Sequence, residues 1–209
     1  MKKKPEERRN EILDASDILF KTKGYTKTTI NDILQTVGIA KGTFYYYFRS
    51  KQEVMDALVM RFIHNSVEIT KTIASNEKLK PHEKIFQIVM AQSKRDIGKK
   101  QIIEQLHDVN NAEMHQKSLT ETILWLTPIL TKIVKQGIKD GLFKTKYPKE
   151  VVEFLLVSSQ FLFDEGIFQW QSDEITQKAT AFAYIIETVL GAETGSFAYI
   201  PKIYEKTQR

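Results

Sequence analysis

The chain contains no cysteine, only 5 prolines and 9 glycines, and no long apolar run. The lack of cysteine excludes disulfide bonds, thiolate zinc sites and cysteine nucleophiles, and it fits a protein of the reducing cytosol. No apolar stretch approaches the roughly 20 residues that a membrane-spanning helix requires. The opening MKKKPEERRN is basic but is not followed by an apolar segment, so we expect no secretory signal and a cytoplasmic location.

Sequence motifs of the common enzyme classes are also missing. The chain has no G-x-G-x-x-G, G-x-S-x-G, H-E-x-x-H or P-loop pattern, and no two of its 4 histidines are three or four residues apart. We therefore expect no catalytic activity, no metal site and no cofactor. A helical enzyme or scaffold stays as an alternative that these absences disfavour.

The positive charge is concentrated at one end of the chain. Residues 1–51 hold 11 Lys or Arg and 6 Asp or Glu, which accounts for the whole net charge of +5, and residues 52–209 are neutral. This pattern fits a solubilising basic arm, and it fits equally a small basic domain that meets a polyanion and is joined to a neutral domain.

Apolar residues recur at helical spacing throughout, and no segment alternates as a strand would, so the sequence predicts an all-α protein. A first helix is expected from about residue 6 to residue 23, before Gly24. Thr29 and Asp32 form a capping box that should start a second helix, which Gly38 ends. A third helix should open near Lys41, and a long fourth helix should run from about 51 to 73. Two short helices around a tight turn predict a helix-turn-helix.

The third helix carries the segment AKGTFYYYF. Phe44 and Phe48 are four residues apart and share a face, so we expect them to be buried anchors. The three tyrosines of residues 45–47 then spread around the rest of the helix, where a ring packs on a sugar or a thymine methyl and a hydroxyl bonds a phosphate. An aromatic core helix is the alternative, but three adjacent tyrosines cannot all point inward.

The stretches ILDASDILFKTKGYTKTTINDIL and VGIAKGTFYYYFRSKQEV, within residues 7–59, resemble the DNA-binding domain of TetR-family transcriptional regulators. The resemblance implies that bases and phosphates are contacted by the third helix. It also implies phosphate contacts at the start of the second and fourth helices. The positions carried over are Thr28, Thr29, Lys41, Gly42, Thr43, Tyr45, Tyr46, Tyr47 and Lys51.

The same resemblance implies two domains. Residues 1–52 should form the helix-turn-helix domain, and residues 53–209 a helical domain that binds a small molecule and forms a homodimer, with the fourth helix bridging the two. The expected function is that of a transcriptional regulator, a repressor released from operator DNA by its ligand. The alternative within the family is a DNA-binding protein without a ligand, with a constitutive or chromosome-organising role.

Candidate residues of the second domain follow from composition and position. Pro128 lies inside a helical pattern, where it is expected to kink the helix, either simply along the core or to open a cavity beside Trp125. The predicted pocket residues are Gln92, His107, Trp125, Phe163 and Phe168. The segment of residues 150–163 is apolar nearly all round, and a last helix is expected between Ser172 and Gly191. These two helices should form a dimer interface through Phe154, Phe161, Phe182 and Ile186, the alternative being an intramolecular core.

Overall fold

The computed structural model describes residues 4–93 and 112–205 of the 209-residue chain. Its regular elements are all α-helices, which confirms the predicted all-α class. They are α1 (Pro5–Lys23), α2 (Ile30–Val37), α3 (Lys41–Tyr47), α4 (Lys51–Ala74), α5 (Pro81–Ser93), α6 (Ala112–Lys139), α7 (Pro148–Leu162), α8 (Ser172–Leu190) and α9 (Tyr199–Glu205). None of these helices is both long and apolar enough to cross a membrane.

The described residues divide into two compact units. The N-terminal unit holds residues 4–64 and 112–118, and the C-terminal unit holds residues 65–93 and 119–205. The helices α4 and α6 each contribute residues to both units. The domain limits expected from the sequence, 1–52 and 53–209, stay a prediction.

Glycines and capping residues set the limits of the helices in the N-terminal unit. Gly24 takes a φ of 86° at the end of α1, and Gly38 adopts the left-handed conformation, with a φ of 71°, at the end of α2. Thr29 caps α2, and its side chain and that of Asp32 form the reciprocal bonds of a capping box. At the start of α4 the Glu53 N–H donates to the Ser50 hydroxyl at 3.1 Å. The helix starts and ends predicted from these residues are confirmed.

The core of the N-terminal unit is built from one apolar face of each helix. The side chains that lose almost all exposure are Ile12 and Leu13 of α1, Ile33 of α2, Phe44 of α3, Phe48 just after it, and Val54 and Val59 of α4. The helices α1 and α2 pack together, as do α2 and α3. The core therefore fixes α2 and α3 on a common support.

The core of the C-terminal unit joins residues far apart in the sequence. Its buried cluster contains Val134 of α6, Phe143, Val152 of α7, four residues of α8, and Phe197 and Ile200 near α9. The α6 helix passes so close to Phe143 that an added Cβ at Gly137 would lie 2.1 Å from Phe143 Cδ2. Gly137 is therefore required for this packing, because any side chain there would collide with the ring.

Two helices differ from the sequence predictions. Gln171, not Ser172, occupies the N-cap position of α8, and its side chain joins Glu174 in a capping box. The α9 helix was not predicted, because seven residues interrupted by Pro201 give no helical periodicity. It forms because Ile200 is buried in the core next to Phe197.

Candidate DNA-binding surface

A tight turn joins α2 to α3. The N–H groups of Gly38 and Ile39 both donate to the Leu34 carbonyl, at 2.9 and 3.1 Å. The Ala40 carbonyl then accepts the N–H groups of Thr43 and Phe44 and so opens α3. Because glycine adopts the left-handed conformation without strain, three residues suffice to connect the two helices. The predicted helix-turn-helix is confirmed.

The α3 helix has an anchoring face and an open face. Phe44 and Phe48 are 0% and 1% exposed, and their ring centroids are 6.1 Å apart, which confirms them as the buried anchors. Of the neighbouring tyrosines, Tyr46 is 77% exposed and Tyr45 is 44% exposed. The two buried rings therefore fix the direction in which the tyrosines project.

The remaining predicted contact residues of α3 surround these tyrosines. Lys41 and Gly42 are exposed, and Thr43 and Tyr47 are half-buried. The Lys41 ammonium lies 5.9 Å from the centre of the Tyr45 ring, and Tyr47 meets Tyr46 edge to face at 4.9 Å. The open face thus combines one cation, phenol hydroxyls and flat apolar rings, which are the groups that bond phosphates and pack on sugars and thymine methyls.

The two predicted threonines at the start of α2 are engaged within the protein. Thr28 is buried, and its hydroxyl donates to the Gly24 carbonyl at 2.8 Å. The Thr29 hydroxyl donates to the Asp32 carboxylate at 2.8 Å and accepts the Asp32 N–H at 3.2 Å. The same carboxylate pairs with the Lys23 ammonium at 2.6 Å.

These contacts stabilise the charged form of Asp32. The hydrogen bond from Lys23 contributes most, followed by the bonds from the Thr29 N–H and hydroxyl, and together they lower the pKa of Asp32 to about 2. A carboxylate that stays ionised therefore occupies the N-terminus of α2.

Lys51, the last predicted phosphate contact, is also turned towards the protein. Its ammonium donates to the carbonyls of Tyr25 at 2.7 Å and Thr28 at 2.8 Å. It also lies 4.3 Å from the centre of the Tyr25 ring. The structure thus groups Thr28 and Lys51 around the α1–α2 turn.

Two family models match the chain, one for each part. The model described as bacterial regulatory proteins, tetR family, matches residues 12–58, which include α2, α3 and the start of α4. The model described as tetracyclin repressor-like, C-terminal domain, matches residues 94–185. The chain belongs to the TetR family of transcriptional regulators. The proteins of this family are regulators and not enzymes, as expected from the missing catalytic motifs.

Curated relatives of this TetR-family chain are HTH-type transcriptional regulators. A Lactococcus lactis protein encoded in the lacX 3′ region is 49% identical over 51 residues, which are 24% of this chain and 26% of that protein. YvaF of Bacillus subtilis is 36% identical over 38% of this chain and 42% of its own length. These two matches therefore span less than half of each relative. YerO of Bacillus subtilis is 30% identical over 90% of this chain and 58% of its own length.

Solved structures share the fold of this TetR-family chain. SmeT, the repressor of the Stenotrophomonas maltophilia multidrug efflux pump SmeDEF, superposes with a TM-score of 0.59 at 17% identity, covering 90% of this chain and 92% of SmeT. Salmonella enterica GusR gives a TM-score of 0.62 at 17% identity, covering 91% of this chain and 98% of GusR. At such identity the likeness concerns the fold alone.

Three of the predicted pocket residues of this TetR-family chain have contacts within the C-terminal unit. Gln92 bonds to the side chains of Ser66 and Thr70 on α4. Phe163 stacks on Tyr204 at 5.1 Å, whereas Phe168 stacks on Trp170 at 4.8 Å. Trp125 is half-buried on α6, and His107 lies outside the described residues. Their assignment to a pocket stays a prediction.

The predicted interface residues separate into two kinds. Phe154 and Phe161 of α7 are 73% and 51% exposed. Phe182 is half-buried against Phe163, with ring centroids 5.7 Å apart, and Ile186 lies inside the core of its own unit. The first pair is therefore available to a partner, and the second pair contributes to the intramolecular core.

Sequence reasoning did not single out Tyr184 and Ile185, two exposed apolar residues of α8. Tyr184, Ile185 and Val189 are 69%, 47% and 38% exposed, while Ala179, Ala183 and Ile186 face the core. Both faces of this helix are apolar, so periodicity gave no signal for choosing between them. Only the packing of α7 and α9 against α8 identifies the outward face.

Proposed function

We propose that this TetR-family chain is a DNA-binding transcriptional repressor that acts in the cytoplasm as a homodimer and releases its operator when a small molecule binds its C-terminal domain. The observation that carries the proposal is the open face of α3, where Lys41, Tyr45 and Tyr46 project from a helix locked by Phe44 and Phe48. Further support comes from the basic N-terminal quarter of the chain and from a curated relative, the KstR2 repressor of Mycobacterium tuberculosis, which is 38% identical over 56 residues.

Each group on α3 has a distinct role in this proposal. The Tyr46 hydroxyl donates a hydrogen bond to a phosphate, and the Lys41 ammonium pairs with another phosphate near the start of the helix. Gly42 allows the DNA backbone to approach closely, because it adds no side chain. Thr43, Tyr45 and Tyr47 contact base edges and sugars in the major groove. Two copies of α3 about 34–36 Å apart would read two half-sites of one operator.

DNA binding is tested by selecting bound duplexes from a random library and measuring their affinity by fluorescence anisotropy. If a dimer neutralises about 6–10 phosphates, affinity should fall about 10³–10⁵-fold between 50 and 200 mM salt. Tyr46→Phe should weaken binding to all sequences alike, whereas substitutions of Thr43 or Tyr45 should change the preference between sequences. The assignment of this surface would be contradicted if the selection enriched no sequence. It would also be contradicted if Lys41→Ala and Tyr46→Phe both bound with the affinity of the parent protein.

The dimer proposal rests on the exposed apolar faces of α7 and α8. A contiguous exposed apolar patch marks a contact with another protein, and the proposal is that the outward side chains of α7 and α8 form such a patch. Phe154→Asp and Ile185→Asp should yield folded monomers, because each places a charge on the outward face without disturbing the core. Sedimentation equilibrium checks the mass, and circular dichroism checks the fold. Ile186→Asp is the matched comparison and should fail to fold, since Ile186 is buried. A dimer that persists in both surface variants would place the interface elsewhere.

The ligand proposal is tested by measuring how ligand and operator change each other's affinity for the protein. A thermal-shift screen of apolar and cationic compounds would supply a ligand, whose affinity is then measured with and without operator. A ligand that releases DNA must bind more weakly in the presence of operator, by the same factor by which it weakens operator binding. Equal affinities would contradict induction, and a protein that binds operator but none of the compounds would favour the ligand-free alternative.

A further inference from the structure

Among the described residues, four buried polar groups have no hydrogen-bond partner, and all four lie in the C-terminal unit. They are the hydroxyls of Thr127, Thr131 and Tyr199 and the amide nitrogen of Gln160. In the N-terminal unit, by contrast, the buried hydroxyls of Ser16 and Thr28 donate to carbonyls. A buried polar group without a partner costs free energy, so each such group calls for an explanation.

Two of these groups lie on one face of α6. Thr127 and Thr131 are 5% and 8% exposed. Because they are four residues apart on a helix, their Cβ atoms lie about 5–6 Å apart on the same side. These two residues, the threonine pair, are therefore close enough for both hydroxyls to reach one small polar group.

Other helical threonines of the chain bond to the backbone of their own helix. Such hydroxyls donate to the carbonyl four residues earlier, at 2.9 to 3.0 Å, in Thr70, Thr72, Thr176, Thr180 and Thr188. Within the described part of the chain, neither hydroxyl of the threonine pair makes this bond or any other. Both hydroxyls are therefore available to another molecule.

The neighbours of the threonine pair along α6 are apolar. One turn before the pair lies Ile123, and one turn after it lies Val134, which is buried. The lysines of this part of α6, Lys132 and Lys135, are exposed. A charged group bound to the pair would lose water without gaining an opposite charge from α6, which is unfavourable. The pair therefore suits an uncharged group in an apolar setting.

We propose that the threonine pair binds the hydroxyl or carbonyl oxygen of an uncharged, largely apolar small molecule. A threonine hydroxyl can donate and accept, so it can bond either kind of oxygen. The bound molecule supplies partners for two buried groups, and this gain adds to the burial of its apolar part. The inference rests on the proposed release of operator by a small molecule, and it names the chemistry of that molecule.

Valine substitutions test whether the two hydroxyls lack a partner in the protein alone. Valine has nearly the size of threonine and lacks the hydroxyl. The midpoint of thermal unfolding should stay unchanged or rise in Thr127→Val and Thr131→Val, because no bond is lost. Thr70→Val is the matched control and should lower the midpoint, since Thr70 is fully buried, donates to the Ser66 carbonyl and accepts from Gln92. A lowered midpoint in either Thr127→Val or Thr131→Val would overturn the proposal, because that hydroxyl would already have a partner.

Two probes of nearly equal size test the bond itself. Benzyl alcohol carries a hydroxyl where ethylbenzene carries a methyl group. Their dissociation constants are measured by NMR from isoleucine methyl signals, which include Ile123 of α6. Each valine variant should shift the ratio of the two constants about fivefold towards ethylbenzene, because one bond to the probe hydroxyl is lost. Thr127→Ser and Thr131→Ser keep the hydroxyls and should keep the parent ratio.

The outcomes decide the proposal separately from the function on which it rests. It is overturned if neither probe binds the parent protein, or if the ratio is unchanged in either valine variant. A serine variant that shifts the ratio as far as the valine variant would also overturn it, because the methyl group and not the hydroxyl would then be responsible. If the parent protein binds no operator in the anisotropy assay, the proposed function fails, while the ratio still decides whether the threonine pair is a binding site.

Discussion

The two units of the molecule are specified in different ways. In the N-terminal unit, bonds between neighbouring residues determine where α2 and α4 begin, as at Thr29 with Asp32 and at Ser50 with Glu53. In the C-terminal unit, long helices are held by a core that joins residues as distant as Val134 and Ile200. A DNA-recognition surface requires helices of fixed orientation, and capping bonds help to fix that orientation. A unit built mainly by apolar packing can change its helix arrangement without losing such bonds.

The largest expected effect separates the two faces of α3. Phe44→Ala should lower the free energy of unfolding by about 3–5 kcal/mol, because it empties a fully buried site. Tyr46→Ala, two residues away on the exposed face, should change it by no more than about 0.5 kcal/mol and yet weaken DNA binding. Urea unfolding and anisotropy measure the two quantities. A stable Phe44→Ala or a destabilised Tyr46→Ala would mean that the two faces are wrongly assigned.

Two glycines sharpen the comparison between the units. Gly137→Ala should destabilise the protein by about 1–3 kcal/mol, since its Cβ would overlap the Phe143 ring. Gly42→Ala meets no atom within 4 Å and should stabilise α3 by about 0.4–1 kcal/mol. The proposed approach of DNA to Gly42 predicts that the more stable variant binds operator less well. Thermal unfolding measures the stability of the two variants, and anisotropy measures their affinity for operator. Equal effects of the two substitutions on stability would refute the difference in packing around Gly137 and Gly42.

A smaller effect concerns pH and two carboxylates of the N-terminal unit. The pKa of Asp32 is lowered from 3.8 to about 2, so its contribution to stability is complete above the unfolded pKa and is lost as the pH falls towards 2. Burial raises the pKa of Asp56, so its effect on stability changes with pH in the opposite direction. The stability associated with the protonated form of Asp56 is lost as the pH rises through its folded pKa.

Variants of the two carboxylates test these signs. Asp32→Asn should reduce the loss of stability between about pH 4 and pH 2. Asp56→Asn should stabilise the protein at neutral pH, because the neutral amide avoids the cost of a partly buried charge and can still accept the Gln52 bond. Unfolding by urea across this pH range gives both results, and side-chain NMR titration gives the pKa values directly. A destabilised Asp56→Asn at neutral pH would contradict the second sign.

Sequence reasoning was most successful where a residue acts on its near neighbours. The stops at Gly24 and Gly38, the capping box at Thr29, and the buried pair Phe44 and Phe48 were all predicted from local spacing. It was least successful where two faces of one helix are both apolar, as in α8.

The sequence by itself determined the all-α class, the helix-turn-helix and the exposed tyrosines, because capping and helical periodicity act over a few residues. Only the tertiary structure decided that Ile186 faces its own core while Ile185 faces outward, since that depends on which helices pack against α8. It also decided that Lys51 turns to the carbonyls of Tyr25 and Thr28, more than 20 residues away in the chain. A long side chain takes the partners that folding brings within reach, and no local pattern encodes that choice.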